Sequence, residues 1–383
     1  MTSRTATVTW TAANARRTAR QGLVSPGGGT PAEVVAALPA AHAQVLSAAE
    51  LSVGLRATDL TRTDVRGALW KDRTLVKTFG PRGTVHLLPM AELPLWTGAL
   101  SALPTGRNPF AKDARMTPEQ VETVLAAIGD ALTGAELTAD ELSDAVVERA
   151  GAWAGDLVMP AFQGMWPRWR QVMHLAGHRG VLCFGPDRGR KVTYTRPGVV
   201  PLDGPGALAG LVRRYLHAYG PATPAHFAKW LAAPSGWAGE LFAGTAARGE
   251  IEQVTYEGGP AWVVAGDTDF SAEPVRGVRL LPYFDAFLIA SQPRERLFPG
   301  AAYTRALAGG QAGNFPVLLV DGTAAGVWHQ RRSGRRIAVT VEPLAPLTAG
   351  QLRELEAEVA RVGAVLEGNA ELTVGKVTVG AHA

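Results

Sequence analysis

The chain has 383 residues and a net charge of +4, with 46% hydrophobic and 19% charged residues. This balance excludes a disordered chain and allows two to four domains of ordinary size. The single cysteine excludes an internal disulfide, and neither an apolar leader nor a run of 18 apolar residues is present. We therefore expect a cytoplasmic protein that does not span a membrane.

Helix starts recur along the chain as a capping-box pattern, in which a threonine is followed three residues later by Glu or Gln. The pattern occurs at Thr30 to Glu33, Thr117 to Gln120 and Thr138 to Glu141, and Thr223-Pro224 opens a further helix. These starts fall within units of roughly 80 to 100 residues, which is a usual domain size. The sequence thus predicts successive small helical units.

Three such units precede a change of pattern near residue 274. The first, residues 10–105, ends in a predicted strand pair at 74–78 and 83–88. The second predicts helices at 118–131, 138–149 and 163–177, then strands at 180–184 and 191–195. The third predicts helices at 208–219, 224–232 and 237–244, then strands at 251–256 and 261–265. Three helices followed by a hairpin are typical of a winged helix.

The last part of the chain predicts a β-rich domain. Short alternating strands fall at 278–281, 317–320, 326–329 and 336–341, with a helix at 348–361 and a strand-like tail. The turn dipeptides Asp321-Gly322 and Ser333-Gly334 separate strands. The second of these turns lies in a strongly basic hairpin.

Three motifs point to a known family. They are the triplet His42-Ala43-Gln44, the run Leu75-Val76-Lys77-Thr78 with Arg82-Gly83-Thr84-Val85-His86, and the run Leu281-Pro282-Tyr283-Phe284-Asp285. Together they resemble the winged-helix DNA glycosylases of the AlkZ/YcaQ type. That family carries a Gln-x-Gln or Gln-x-Asp triplet, an LVKT…RGT.HL hairpin and an LLPxFD signature. The resemblance covers essentially the whole chain.

The resemblance implies an α+β fold with three tandem winged-helix units at 1–110, 111–202 and 203–273 and a β-rich domain at 274–383, arranged as a C-shaped channel. It implies a monomeric, monofunctional glycosylase without metal or cofactor, associated with the nucleoid. Its partner would be double-stranded DNA carrying bulky or crosslinking N7-alkylguanine adducts. Its role would be repair, or self-resistance to a genotoxic natural product.

The triplet departs from the family pattern, because His42 stands where the first glutamine is expected and Gln44 stands at the second. In an extended segment, side chains two positions apart point the same way. Gln44 would orient a water molecule, and His42 would hold it or accept its proton. An N7-alkylated guanine is already cationic and leaves with little help, so the missing carboxylate fits that substrate.

Two further groups are predicted to contact DNA. The first is on the hairpin after the triplet: Arg82, Thr84 and His86. The second is on the basic hairpin near the C-terminus: His329, Gln330, Arg331, Arg332 and Arg335. Arginine clusters at 16–20, 168–170 and 188–191 are candidate phosphate contacts.

Alternatives remain open. Asp285 and Arg294 would form an ion pair that fixes the last domain, or they would face DNA. His174 and His178 have metal-ligand spacing on a helix, but Ala176-Gly177 breaks that helix and no third ligand is evident. A non-catalytic winged-helix regulator also accounts for the arginine clusters, although no dimer helix is apparent. A scaffold with a decayed triplet is a third hypothesis.

Overall fold

A computed structural model of the chain describes residues 6–106, 108, 110–161, 164–270 and 273–381. The fold is mixed α+β, with helical units followed by a larger sheet. The first part comprises β1 (Thr7–Val8), α1 (Trp10–Arg20), α2 (Pro31–Ala37), β2 (Ala41–His42), α3 (Leu46–Gly54), α4 (Arg62–Trp70), β3 (Leu75–Phe79), β4 (Val85–Pro89) and α5 (Leu93–Ser101). Strands β2, β4 and β3 form a sheet in that order, and the predicted strand pair is confirmed.

The second unit contains the predicted capping boxes and hairpin. Its elements are α6 (Pro118–Ala131), β5 (Glu136–Thr138), α7 (Ala139–Ala150), β6 (Leu157–Ala161), β7 (Gly164–Pro167), α8 (Met173–His178), β8 (Cys183–Phe184) and β9 (Thr193–Thr195). Thr117 and Thr138 cap α6 and α7 with reciprocal bonds from Gln120 and Glu141, as predicted. The capping box at Thr30 is likewise confirmed at the start of α2.

The predicted helix at 163–177 is wrong at its start, over 164–167, whereas 168–172 form a 3₁₀ helix and 173–177 are α-helical. Residue 163 lies outside the described residues. Met165 and Trp166 instead pair with β6 in a hairpin, and only Met173–His178 is α-helical. Pro167 lacks an amide hydrogen and is tolerated only in the first turn of a helix, so no helix continues through it. The α-helix therefore begins after Pro167 and a short 3₁₀ turn.

The third unit consists of α9 (Gly204–Tyr219), α10 (Pro224–Leu231), α11 (Ser235–Ala247), β10 (Ile251–Tyr256) and β11 (Gly259–Val264). Its sheet has the order β1-β10-β11, so the first strand of the chain pairs in parallel with β10. Trp96 and Leu100 of α5 pack into the same core as α9 and α10. Strand β1 and helix α5, from the two ends of the range predicted for the first unit (1–110), therefore both lie against the third unit.

The C-terminal part is built on a five-stranded sheet. Its elements are β12 (Val278–Leu281), α12 (Ala286–Ala290), α13 (Arg294–Leu297), α14 (Ala301–Arg305), β13 (Val317–Val320), β14 (Thr323–Ser333), β15 (Arg336–Pro343), α15 (Ala349–Val365) and β16 (Asn369–Val374). The strand order is β12-β13-β14-β15-β16. Helix α15 covers one face together with Leu51 and Leu55 of α3. This contact places the triplet, just before α3, beside the C-terminal sheet.

Candidate active site

His42 lies at the junction of the first unit and the C-terminal domain. It ends β2, where it is in register with His86 on β4. Its imidazole is 8% exposed and stacks on the ring of Phe284, with centroids 4.5 Å apart and planes inclined by 24°. The ring of His86 meets it edge-on at 5.0 Å. Two segments far apart in sequence therefore fix the plane of the imidazole.

Gln44 is placed differently from the expectation of two side chains pointing the same way. The chain leaves β2 after His42 and bends at 44 and 45 before α3 begins, so strand alternation stops there. Gln44 is exposed, whereas His42 is buried. The backbone amide of Gln44 lies 3.5 Å from Nδ1 of His42, which is the donor–acceptor distance of a weak hydrogen bond.

A cavity of about 370 Å³ opens beside His42. Its lining includes Arg82 and Thr84 from the first hairpin and Phe284 from the C-terminal domain, but not Gln44. The other lining residues are His226, Lys229, Trp230, Ile289, Ala290, Gln292, Arg294, Gly310, Gln311, Ala312 and Asn314. Among the described residues no Asp or Glu lines it. The cavity is therefore rich in hydrogen-bond donors and positive charge.

Burial keeps the site histidines neutral. Burial, with the nearby Arg82 guanidinium as the smaller cause, lowers the pKa of His42 to about 4. Burial also lowers the pKa of His86 well below its usual value. The His86 Nδ1–H donates to the Thr84 carbonyl at 2.9 Å, so this ring nitrogen is already engaged in a hydrogen bond. At neutral pH, neither ring adds positive charge next to the cavity.

The hairpin between β3 and β4 is shaped by the packing of His86. A Cβ on Gly80 would lie 2.8 Å from Nδ1 of His86, so only glycine fits there. Arg82 has φ +61° and donates from its guanidinium to the Trp230 carbonyl at 3.2 Å. Thr84 Oγ1 donates to the Pro81 carbonyl at 3.1 Å. Arg82 and Thr84 thus reach the cavity, whereas His86 is 4% exposed.

His86 is enclosed between Gly80 and His42, so in the free protein it offers almost no surface to DNA. The arginines at 16, 17 and 20 are also unsuited to phosphate contacts. Arg17 is 1% exposed and donates to the carbonyls of Gly220, Pro221 and Gln292, and Arg16 and Arg20 pair with Asp267. These arginines hold α1 against the third unit.

Asp285 forms an ion pair, but the expected partner was wrong. Its carboxylate accepts two hydrogen bonds from Arg56, both at 2.8 Å, and one from Ser52 Oγ at 2.7 Å. Both ends of the Arg56–Asp285 pair are almost fully buried. Arg294 instead donates to the carbonyls of Leu288 and Ile289. The pair ties α3 to the turn that carries Phe284.

The basic hairpin extends from the end of the sheet that carries Phe284. Val327 of β14 pairs with Val317, the first residue of β13, and β14 continues to Ser333. Since β12 and β14 both run antiparallel to β13, this overhang leaves the sheet in the direction of the segment after Leu281. Residues 331–336 are exposed. The hairpin and the cavity therefore lie at the same end of the sheet.

The hairpin arginines differ in their partners. Arg332 donates to the Leu366 carbonyl at 2.6 Å, and Arg336 pairs with Glu371. Arg331 and Arg335 make no ion pair within the described part of the chain. His329 and Gln330 are half-buried on β14. Arg331, Arg332 and Arg335 therefore keep a charge that no described carboxylate neutralises, and the Leu366 carbonyl holds Arg332 in place.

His174 and His178 pack the second unit against the first hairpin. Nε2 of His178 lies 3.1 Å from the Gly80 carbonyl, and a Cβ on Gly83 would lie 3.3 Å from His174. Over the ranges that the structure describes, no group of three or more His, Cys, Asp or Glu side chains is arranged to hold a metal ion. These histidines support the hairpin.

The sequence analysis did not predict that helix α10 forms one wall of the cavity. His226, Lys229 and Trp230 all line the cavity. Their spacing of three and four residues puts them on one helix face. The Thr223-Pro224 helix start makes that face predictable. What the sequence does not contain is the packing of α10 against the first hairpin, which brings this face to His42.

The buried histidines predict that stability falls in mild acid. His42, His178 and His226 have a pKa of about 4 in the folded chain, against an ordinary value of 6.5. Well above pH 6.5 the three histidines are neutral in both the folded and the unfolded chain, so the free energy of unfolding does not depend on their titration. Between pH 6.5 and 4 the unfolded chain binds protons that the folded chain does not, so each histidine costs up to about 1.4 kcal/mol per pH unit.

Urea unfolding at pH 7.5, 6.5, 5.5 and 4.5 measures this effect. We expect the free energy of unfolding to fall slightly from pH 7.5 to 6.5 and more steeply below that. The buried carboxyls of Glu92 and Glu358, whose pKa is raised by burial, act in the opposite direction. A His226→Gln variant isolates the histidine contribution, and an unchanged pH slope in that variant would contradict the assignment.

Comparison with known proteins identifies the family. The family described as DNA glycosylase AlkZ-like matches residues 35–365, which is most of the chain. The chain belongs to the AlkZ-like DNA glycosylases. An interstrand DNA cross-link repair glycosylase of Streptomyces sahachiroi is 30% identical over 338 residues, covering 84% of this chain and 87% of the relative. The solved structure of Streptomyces sahachiroi DNA glycosylase AlkZ matches with a TM-score of 0.79 at 28% identity, covering 96% of this chain and 100% of that chain.

This AlkZ-like chain is therefore an enzyme acting on DNA, and the family favours the glycosylase over the regulator. The matched region contains the triplet, the first hairpin, the Phe284 segment and the basic hairpin. In the described part of this AlkZ-like glycosylase, no helix is both long and apolar enough to cross a membrane.

Proposed function

We propose that this AlkZ-like glycosylase hydrolyses the N-glycosidic bond of N7-alkylated guanines in double-stranded DNA, including bulky and crosslinking adducts. The observation that carries the proposal is the neutral, positioned His42 at a cavity lined by no described carboxylate. Such a site lacks a strong general acid for an ordinary base, so it suits a base that is already cationic. The Streptomyces sahachiroi relative is an interstrand DNA cross-link repair glycosylase, which supports including the crosslinking adducts.

His42 and Gln44 would place the attacking water together. A contact from the Gln44 amide to Nδ1 of His42 favours the tautomer in which Nε2 carries the hydrogen. Nε2–H would then donate to the water oxygen, and the exposed Gln44 carboxamide oxygen would accept a water hydrogen as DNA covers it. The proton that the water loses after adding to the cationic sugar would pass to solvent. The stack on Phe284 fixes the direction of that N–H group, so less conformational entropy is lost when the substrate binds.

The remaining assignments follow from exposure and charge. Arg331 and Arg335 would contact DNA, with Arg332, His329 and Gln330 positioned along the same hairpin. Arg82 and Thr84 would act at the cavity, and His86 would position His42 rather than touch DNA. We also propose three winged-helix units around an open channel, and a monomer that repairs DNA or protects its host from a genotoxic product.

An abasic-site assay tests the proposal. Duplexes carrying one N7-methylguanine, one bulky N7 adduct or one N7–N7 interstrand crosslink are incubated with the enzyme and then cleaved with alkali. We expect strand cleavage at the modified guanine in each, and none in the unmodified duplex. Tight binding to all four duplexes without base release from any of them would contradict the proposal and favour a DNA-binding scaffold.

The His42→Gln variant tests the departure from the family triplet. Because a carboxamide also offers an N–H donor, we expect base release to stay within about fivefold of the wild-type rate. The measurement is the single-turnover rate on the N7-methylguanine duplex. Complete loss of activity in a folded His42→Gln protein would mean that the imidazole does something that a carboxamide cannot.

A further inference from the structure

Three cations line the cavity beside His42 without a described carboxylate among the lining residues: Arg82, Lys229 and Arg294. They come from three separate elements, namely the first hairpin, α10 and α13. The Arg82 guanidinium is held by the Trp230 carbonyl, next to Lys229 in sequence. Arg294 is held by two carbonyls of α12. The positions of both guanidinium groups are therefore fixed by backbone atoms.

The charges of Arg82 and Arg294 influence each other. Burial lowers the pKa of Arg294 to about 10, with Arg82 contributing in the same direction, and burial also lowers the pKa of Arg82. With a pKa of about 10, Arg294 remains charged at neutral pH. None of the three cations makes an ion pair within the described ranges, and Glu295, which acts on Arg294, is exposed and does not line the cavity.

Arg294 also carries an orphaned donor. It is 9% exposed, and its Nε has no hydrogen-bond partner. A buried guanidinium with an unmatched donor costs free energy unless an acceptor joins it. Arg294 is buried, Arg82 is half-buried and Lys229 is exposed, and an anion inside the cavity would satisfy the unmatched donor of Arg294. A cationic N7-alkylguanine would be repelled, so the modified base is not that group.

We propose that the cavity binds one phosphodiester of the lesion-bearing strand, adjacent to the deoxyribose whose bond is cleaved. This assignment rests on the proposed function for its substrate. Phosphate oxygens suit guanidinium and ammonium donors. The bound phosphate would also weaken the local positive potential, which matters because the sugar develops positive charge as the base departs. Three cations without an anion oppose that charge, and one phosphate among them reduces the opposition by one charge.

A neutral-phosphate scan tests the proposal. Duplexes with one N7-methylguanine carry a methylphosphonate at one position at a time along the modified strand. For the wild-type enzyme we expect one position near the lesion to weaken binding and base release by about 10-fold or more, as for loss of a charge-assisted bond. In Lys229→Gln the same methylphosphonate should cost less than about threefold, because the contact is already weakened. Lys229→Arg should restore the wild-type pattern.

Lys112→Gln is the matched control, since Lys112 is exposed and does not line the cavity. In Lys112→Gln, each methylphosphonate position should weaken binding and base release by the same factor as in the wild-type enzyme. Equal sensitivity at every position, or an unchanged scan in Lys229→Gln, would overturn the proposal. Competition by inorganic phosphate at submillimolar concentration would assign the cavity to a small soluble anion and would also overturn it. Because binding is read separately from base release, an inactive wild-type enzyme would contradict only the proposed function.

Discussion

Replacing either polar member of the triplet with alanine is expected to lower the rate of base release by about 100-fold to 1000-fold. In Gln44→Ala, the water loses its acceptor at the DNA surface. In His42→Ala, it loses the donor that Phe284 holds in place. The measurement is the single-turnover formation of alkali-labile sites in an N7-methylguanine duplex. Binding to that duplex should change much less than the rate.

Gln253→Ala provides the matched control, since Gln253 is an exposed glutamine on β10 that does not line the cavity. It should retain the wild-type rate. The placement of Gln44 makes this a demanding test, because its side chain is exposed and outside the cavity in the free protein. Retention of activity within about threefold in Gln44→Ala would remove Gln44 from the catalytic group and leave His42 alone.

Breaking the Arg56–Asp285 pair should give the largest loss of stability in the molecule. In Asp285→Asn the Arg56 guanidinium stays buried without its countercharge, at 1% exposure. Removing one partner of a buried pair costs about 3–5 kcal/mol, so we expect the free energy of unfolding to fall by that amount. Urea unfolding followed by tryptophan fluorescence measures it. Base release should also fall, because Phe284 precedes Asp285 and holds His42.

A second substitution separates the charge effect from a general defect. Adding Arg56→Met to Asp285→Asn removes the orphaned charge, and we expect part of the lost stability to return. Glu122→Gln breaks an exposed pair with Arg179 and should change the unfolding midpoint little. If Asp285→Asn were no less stable than Glu122→Gln, the pair would not be what joins these domains.

Local signals made much of the fold predictable. The capping boxes at Thr30, Thr117 and Thr138 and the strands 251–256, 278–281 and 317–320 are found as predicted. In each case the deciding interactions lie within a few residues, either as side-chain bonds to nearby amides or as alternating burial. The helix predicted at 163–177 was wrong for the opposite reason, because its pattern was read across Pro167.

Contacts between distant segments were not predictable. Nothing around Thr7 or Val8 indicates that they pair with β10, and nothing around Asp285 distinguishes Arg56 from Arg294 as its partner. The triplet itself could be found by resemblance, yet its surroundings could not. The cavity beside His42 is lined by Phe284, Lys229 and Arg294 only because whole units of the chain pack together.

The mixed origin of the cavity has a consequence for biosynthesis. Its lining extends along the chain from His42 to Asn314, and the ring against the imidazole is Phe284. A nascent chain that has emerged from the ribosome only as far as the third unit has the triplet but lacks the residues that complete its pocket. With the active site proposed at His42, glycosylase activity would arise late in translation, and a prematurely terminated product ending before Phe284 would lack the ring that holds the imidazole.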